Sequence, residues 1–155
     1  MKNVTLKINN TSVTVPEGTR ILDAARQAGY DIPTLCYLKD LTNEGSCRMC
    51  VVEVKGARSL VVSCVGTVAE GMEVFTNTPK VISSRKTTLE LMLSNHKREC
   101  LSCVRSTNCE LQKLALEYGC DDKRFEGEHT HVTVEAVNPY LVRDNDKCIL
   151  CRRCI

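Results

Sequence analysis

Gly45-Ser46-Cys47-Arg48-Met49-Cys50-Val51-Val52-Glu53-Val54 is the stretch that decides how this 155-residue chain is read. Two cysteines stand two residues apart in a loop opened by a glycine and a serine, and the loop runs straight into a β-branched segment. Gly45 and Ser46 let the backbone curl so that amide N–H groups can point at sulfur, and Val51–Val54 reads as a strand. Upstream, Val4, Leu6 and Ile8 alternate with polar neighbours, Asn9-Asn10 signals a turn, and Val13 and Val15 continue the alternation on a return strand. Thr19 is placed to cap a helix through Ile21-Leu22-Asp23-Ala24-Ala25, and Gly29 to end it. Downstream, Leu60-Val61-Val62 and Met72-Glu73-Val74-Phe75 are further β-branched runs. Hairpin, helix, long loop and strands in that order predict a small α+β domain over residues 1–78.

A second segment, 79–119, starts with Thr78-Pro79, a good N-cap followed by the residue best suited to the first helical turn. Val81, Ile82, Leu89, Met92 and Leu93 give the helix an apolar stripe that lasts to Asn95-His96. A cysteine-rich loop follows, and Glu110–Tyr118 predicts a short helix with Leu111, Leu114 and Ala115 on one side. Residues 120–155 read as a polar connector containing Pro139, with one strand at His131–Val137, ending in a cysteine triplet.

Composition narrows the function. Basic and acidic residues number 21 and 19, for a net charge of +2, which is no electrostatic footprint for nucleic acid and no polybasic membrane anchor. No apolar run approaches the roughly 20 residues of a membrane span, and MKNVTLKINN holds no secretory signal, so the expected location is the cytoplasm. There are 11 cysteines. A reducing compartment disfavours a disulfide framework, and an odd number cannot pair completely, so metal binding is the expectation.

The first constellation is Cys36, Cys47, Cys50 and Cys64, spaced C-x10-C-x2-C-x13-C. Four thiolates are what a 2Fe–2S cluster needs, two for each iron. A structural zinc also takes four cysteines, but usually through two tight C-x2-C knuckles, whereas only one pair is tight here. The second is His96, Cys100, Cys103 and Cys109, spaced H-x3-C-x2-C-x5-C, a donor set for either a 4Fe–4S cluster or zinc. The third is Cys148, Cys151 and Cys154, the opening of the bacterial ferredoxin run C-x2-C-x2-C-x3-C. Its fourth cysteine would fall at about position 158, so the chain is expected to be part of a longer polypeptide. Cys120 has no regular partner and reads as a free thiol, and His129 and His131 read as surface residues.

The three motifs in this order resemble the N-terminal region of iron-only (FeFe) hydrogenases, of the large cluster-bearing subunit of respiratory complex I, and of NAD-linked formate dehydrogenase. Pro33-Thr34-Leu35-Cys36, Gly45 through Val54, Asn95-His96 through Cys109-Glu110-Leu111-Gln112 and Lys147 through Cys154 carry the likeness. Arg105-Ser106-Thr107-Asn108 and Val142-Arg143-Asp144 look most like the hydrogenases, whereas Lys97 stands where many relatives have proline. The resemblance implies a β-grasp, plant-ferredoxin-like domain with one 2Fe–2S cluster. It further implies a small helical domain whose 4Fe–4S cluster has one histidine and three cysteine ligands. The start of a two-cluster ferredoxin domain follows, its own 4Fe–4S cluster complete only in the full-length protein.

The implied function is electron relay in a multi-cluster oxidoreductase, most nearly an NAD(P)-linked FeFe hydrogenase. The same likeness implies a flavoprotein NAD(P)H subunit and a thioredoxin-like 2Fe–2S subunit as partners, with the catalytic domain outside this chain. The competing classes are a structural zinc protein and a thiol redox enzyme using Cys47/Cys50 or Cys100/Cys103. Metal analysis of anaerobically purified protein separates them. Brown protein with iron and acid-labile sulfide is expected, whereas colourless protein containing zinc would remove the relay.

Overall fold

The structure is a computed structural model that describes residues 2–120, 124–125 and 134–154. It divides into two compact units, residues 1–85 with 152–155, and residues 86–151. His129, His131 and the first residues of the strand expected from His131 lie outside the described residues.

In the first unit, β1 (Asn3–Ile8) and β2 (Thr11–Pro16) form the expected antiparallel hairpin, with Val4 paired to Val15 and Leu6 to Val13. Asn9 and Asn10 both take positive φ, 46° and 72°, which sets a two-residue turn of the hand that matches strand twist. Val4, Leu6 and Ile8 point inward and their neighbours outward. The helix α1 (Ile21–Gln27) buries Ile21, Leu22, Ala24 and Ala25 in the same core. Gly29, at φ +83°, ends it as expected, with the Gly29 and Tyr30 amides donating back to the Arg26 and Ala25 carbonyls.

The helix start differs from expectation. Arg20 is the N-cap and contributes no side-chain bond, while the Thr19 hydroxyl donates to the Pro16 carbonyl at 2.7 Å. The first amides of α1 find acceptors elsewhere: Ile21 donates to the Gly66 carbonyl at 2.9 Å and Leu22 to that of Ser63 at 3.0 Å. A loop therefore does the work of a cap, and the loop is the one that carries Cys64.

Strands β3 (Val51–Val54), β4 (Val61–Val62) and β5 (Glu73–Phe75) complete a five-stranded mixed sheet in the order β2-β1-β5-β3-β4. Strand β5 runs parallel to β1 and antiparallel to β3. Helix α2 (Pro79–Ser94) begins as expected, its Val81 amide donating to the Thr78 hydroxyl at 3.3 Å. Its buried residues are not the expected stripe. Val81, Leu89 and Leu93 are inside, but Ile82 is exposed, and Arg85 and Glu90 are each only 1% exposed. Helix α3 (Glu110–Glu117) follows, burying Leu111 and Leu114. Among the described residues of the connector stands one strand more than anticipated: β6 (Glu135–Asn138) and β7 (Leu141–Arg143) pair across Pro139-Tyr140. No helix among the described residues is long and apolar enough to cross a membrane.

Gly45 has the most constrained backbone in the thiol loop. Its φ is +64°, and a Cβ there would lie 2.9 Å from Val65 Cγ2 and 3.3 Å from Val62 Cγ1. Gly56 also has positive φ, +85°, but a Cβ there meets nothing within 4 Å. Gly56→Ala is therefore expected to cost about 1–2 kcal/mol of conformational strain. Gly45→Ala should cost that plus the displacement of two valines, about 1–3 kcal/mol more. Urea denaturation of the two variants checks the ranking; equal losses would contradict it.

Candidate functional site

The first unit brings Cys36, Cys47, Cys50 and Cys64 together, at 0%, 6%, 1% and 0% exposure. Cys36 and Cys47 share side-chain hydrogen bonding, as do Cys50 and Cys64, so the four stand as two pairs. The Cys36 amide donates to Cys47 Sγ at 3.4 Å, and the Leu35 and Met49 amides also point at that sulfur. Arg48, between the two central cysteines, takes a left-handed φ of +55°, which turns successive N–H groups to one side.

Burial presses the Cys36 thiol upward, yet hydrogen bonds from Cys47 and Ser46 bring it below its usual range. Burial holds Cys47 above it. The Cys64 side chain stabilises a Cys50 thiolate, lowering Cys50 to about 6, and Cys64 rises in consequence. In each pair, then, one thiol is lowered and its neighbour raised.

Two neighbours not singled out from the sequence hold these cysteines in place. Ser63, fully buried, donates its hydroxyl to the Cys50 carbonyl at 2.7 Å and its amide to the same oxygen at 3.2 Å. Thr42 donates to the Cys36 carbonyl at 2.8 Å. Small hydroxyl residues near cysteines carry no distinctive spacing, which leaves them silent in a linear reading. All eleven cysteines are free thiols, and no three His, Cys, Asp or Glu side chains among the described residues are set to hold one metal ion.

In the second unit His96 follows the end of α2, its amide donating to the Leu93 carbonyl at 3.3 Å. Its Nδ1 is buried with no hydrogen-bond partner among the described residues. Burial, then the nearby Lys147 and Arg98 charges, lower its pKa, so the ring is neutral at neutral pH and keeps a lone pair. Cys100 is exposed, and Cys103 and Cys109 are half-buried. Three backbone turns, Ser102 to Glu99, Ser106 to Cys103 and Asn108 to Arg105, wind the loop between them, with Thr107 at φ +68°. Cys109 is the N-cap of α3, its sulfur accepting from the Gln112 amide at 3.5 Å.

The loop is moored by charge. Lys97 lies 3.4 Å from Glu99 and 4.0 Å from Asp144, and Lys147 lies 3.7 Å and 3.8 Å from the same two carboxylates. The Lys97 amide donates to the Asp146 carbonyl at 2.9 Å, a bond that proline at this position could not make. Glu90 lies fully buried, 2.7 Å from Arg124 and 3.8 Å from Lys86. Cys120 is half-buried, its thiol raised by burial and by the Glu90 charge.

Of the third constellation, Cys148 and Cys151 belong to the second unit and Cys154 to the first. The Leu150 amide donates to Cys148 Sγ at 3.4 Å, and Leu150 and Arg152 take positive φ of 54° and 59°. In the first unit Arg152 reaches Glu44 at 3.3 Å, and Arg153 donates to the Tyr37 carbonyl at 3.1 Å.

Comparison with known proteins gives this geometry a family. Residues 1–79 match a 2Fe-2S iron-sulfur cluster binding domain, and residues 85–124 match the NADH-ubiquinone oxidoreductase-G iron-sulfur binding region. The chain is 44% identical, over 99% of its length, to NADP-reducing hydrogenase subunit HndD of Solidesulfovibrio fructosivorans, covering 27% of that relative. It is 36% identical over 98% of its length to an NADH-quinone oxidoreductase subunit of Rhizobium meliloti (strain 1021), covering 18% of it. Against the NADH-ubiquinone oxidoreductase 75 kDa subunit of Reclinomonas americana the identity is 38%, over 98% of the chain and 22% of the relative. It therefore spans roughly a quarter or less of the length of these relatives. A crystal structure of NAD+-reducing [NiFe]-hydrogenase in the H2-reduced state superposes with a TM-score of 0.89 at 32% identity, over 97% of this chain and 64% of that one. Through residues 1–79 the chain belongs to the 2Fe-2S iron-sulfur cluster binding domain family, and nearly all of it is similar to the iron–sulfur subunits of hydrogenases and NADH-quinone oxidoreductases.

Proposed function

We propose that this chain is the electron-relay module of an NAD(P)-linked hydrogenase of the FeFe type, with a 2Fe–2S cluster on Cys36, Cys47, Cys50 and Cys64. The observation that carries the reading is the burial of these four thiols close together, with the Cys36 amide donating to Cys47 Sγ. A diiron cluster needs two thiolates on each iron, which four such thiols supply, and the 2Fe-2S family match over residues 1–79 supports that choice over zinc. We read the five-stranded sheet with α1 across it as a β-grasp fold, which the 2Fe-2S family match supports.

The second cluster, 4Fe–4S, is assigned to His96, Cys100, Cys103 and Cys109. A buried ring nitrogen without a partner costs about 1–3 kcal/mol, and a metal bond would remove that cost. Cys148, Cys151 and Cys154 are assigned to a further 4Fe–4S cluster in the full-length protein. Cys120 is assigned to none.

When bound, such clusters supply one-electron oxidation and reduction. The chain's own residues do the rest. The Leu35, Cys36 and Met49 amides offset negative charge on sulfur. Leu35, Met49 and Val52, each at most 1% exposed, keep water from the first site. Neutral His96 in place of a fourth thiolate leaves the second site less negative by one charge, which favours reduction there.

Identity to the hydrogenase subunit, 44% against 36% and 38% for the two NADH oxidoreductase subunits, supports the hydrogenase parent. A flavoprotein that exchanges electrons with NAD(P)H and a thioredoxin-like 2Fe–2S subunit are the partners this reading assigns, in the cytoplasm.

Spectroscopy of iron-loaded chain reduced with dithionite tests the assignment. Cys47→Ala should remove the 2Fe–2S paramagnetic signal and leave the 4Fe–4S signal in place; His96→Ala should alter only the latter. Both signals surviving Cys47→Ala would refute the ligand set. In the parent enzyme Cys47→Ser should abolish nucleotide-coupled turnover while dye-linked turnover persists.

A further inference from the structure

We infer that Arg85 is a positioning residue for the first sulfur site, a permanent buried cation that holds up the reduction potential of the cluster bound there. The inference rests on the 2Fe–2S reading given above. Arg85 occupies a core position of α2, four residues after Val81 and four before Leu89, and is 1% exposed. A buried position on a helix is ordinarily filled by an aliphatic side chain, not a charge. A guanidinium cannot shed its proton in a protein, so burying it carries a desolvation penalty that its hydrogen bonds must offset.

The direction in which that charge is aimed supplies a reason to keep it. Arg85 Nη2 donates to the Val51 carbonyl at 2.7 Å, and Nη1 donates to Asn77 Oδ1 at 3.3 Å. Val51 is bonded directly to Cys50, so the cation is anchored within one residue of a proposed ligand. Reduction adds one negative charge to the pocket. A fixed positive charge behind its wall stabilises the reduced form more than the oxidised one, and buried walls leave little solvent to screen it. The surface pair Lys55–Glu73 on the same sheet, at 67% and 33% side-chain exposure, has no comparable reach.

A purely structural tie between α2 and β3 predicts something different: variants that keep the fold keep the potential. Potentiometric titration of the 2Fe–2S paramagnetic signal in the iron-loaded full chain separates the two. Arg85→Gln removes the charge and Arg85→Lys keeps it. Asn77 is exposed, so Asn77→Asp sets a carboxylate beside Nη1 without disturbing the core. At a fixed potential near the midpoint, Asn77→Asp, whose carboxylate is partly screened by solvent, should lower the ratio of reduced to oxidised cluster measurably, and Arg85→Gln should lower it about threefold or more. For a one-electron couple that is a shift of about 28 mV at about 59 mV per decade. Arg85→Lys should stay close to the unaltered chain.

If Arg85→Gln fails to fold, Asn77→Asp decides alone. An unshifted potential in Asn77→Asp protein with full iron and sulfide overturns the inference, as does an Arg85→Lys shift as large as that of Arg85→Gln. Absence of any 2Fe–2S signal from the unaltered chain would instead overturn the reading of the site itself.

Discussion

Four thiols buried against one another are the constraint around which the first unit is organised. Sulfur is soft and weakly polar, so burial is cheap while the thiols are neutral and costly once they ionise. The backbone answers that cost. Amides from Leu35, Cys36 and Met49 turn toward Cys47, and the hydroxyl and amide of Ser63 grip the Cys50 carbonyl. Helix α1 completes the arrangement, because its opening amides have no side-chain cap and bind the carbonyls of Ser63 and Gly66 on either side of Cys64. The start of the helix and the loop that carries Cys64 therefore hold each other in place.

The second unit solves a similar problem by different means. Its cysteines lie toward the surface, in a loop with little hydrophobic backing, and its anchors are ionic. Lys97, Lys147, Glu99 and Asp144 form an alternating cluster, and Glu90 is buried against Arg124. Partly exposed ion pairs are individually weak. Shared among four residues, they still restrict where the backbone flanking His96 can go, and the Lys97 amide adds a bond that tolerates no movement away from Asp146. Salt would soften this loop more than it would the thiol pocket of the first unit.

The parts of this architecture that show in the sequence are those governed by short-range periodicity. Val4, Leu6 and Ile8 alternate because one face of β1 is core, and Gly29 ends α1 because a left-handed residue is needed there. Cysteine spacing located the four thiols of the first site, since loop geometry limits how far apart tight ligands can be. What stayed hidden depended on distant partners. Thr19 has the chemistry of a cap, but the amides it would serve are already bound by residues more than forty positions away. Strand β7 is short and fully exposed, so no apolar alternation marks it. Arg85 and Glu90 are charged, and charge in a helix ordinarily marks a solvated face, although both are buried here.

Cys109 joins local structure to chemistry in a single atom. Its sulfur opens α3 by accepting the Gln112 amide, and the same sulfur belongs to the proposed second donor set. A metal bond that fixed this sulfur at the head of α3 would favour the helix, and the formed helix holds the sulfur where a metal could take it. Metal occupancy and helicity are then thermodynamically linked, each raising the equilibrium constant of the other by the same factor.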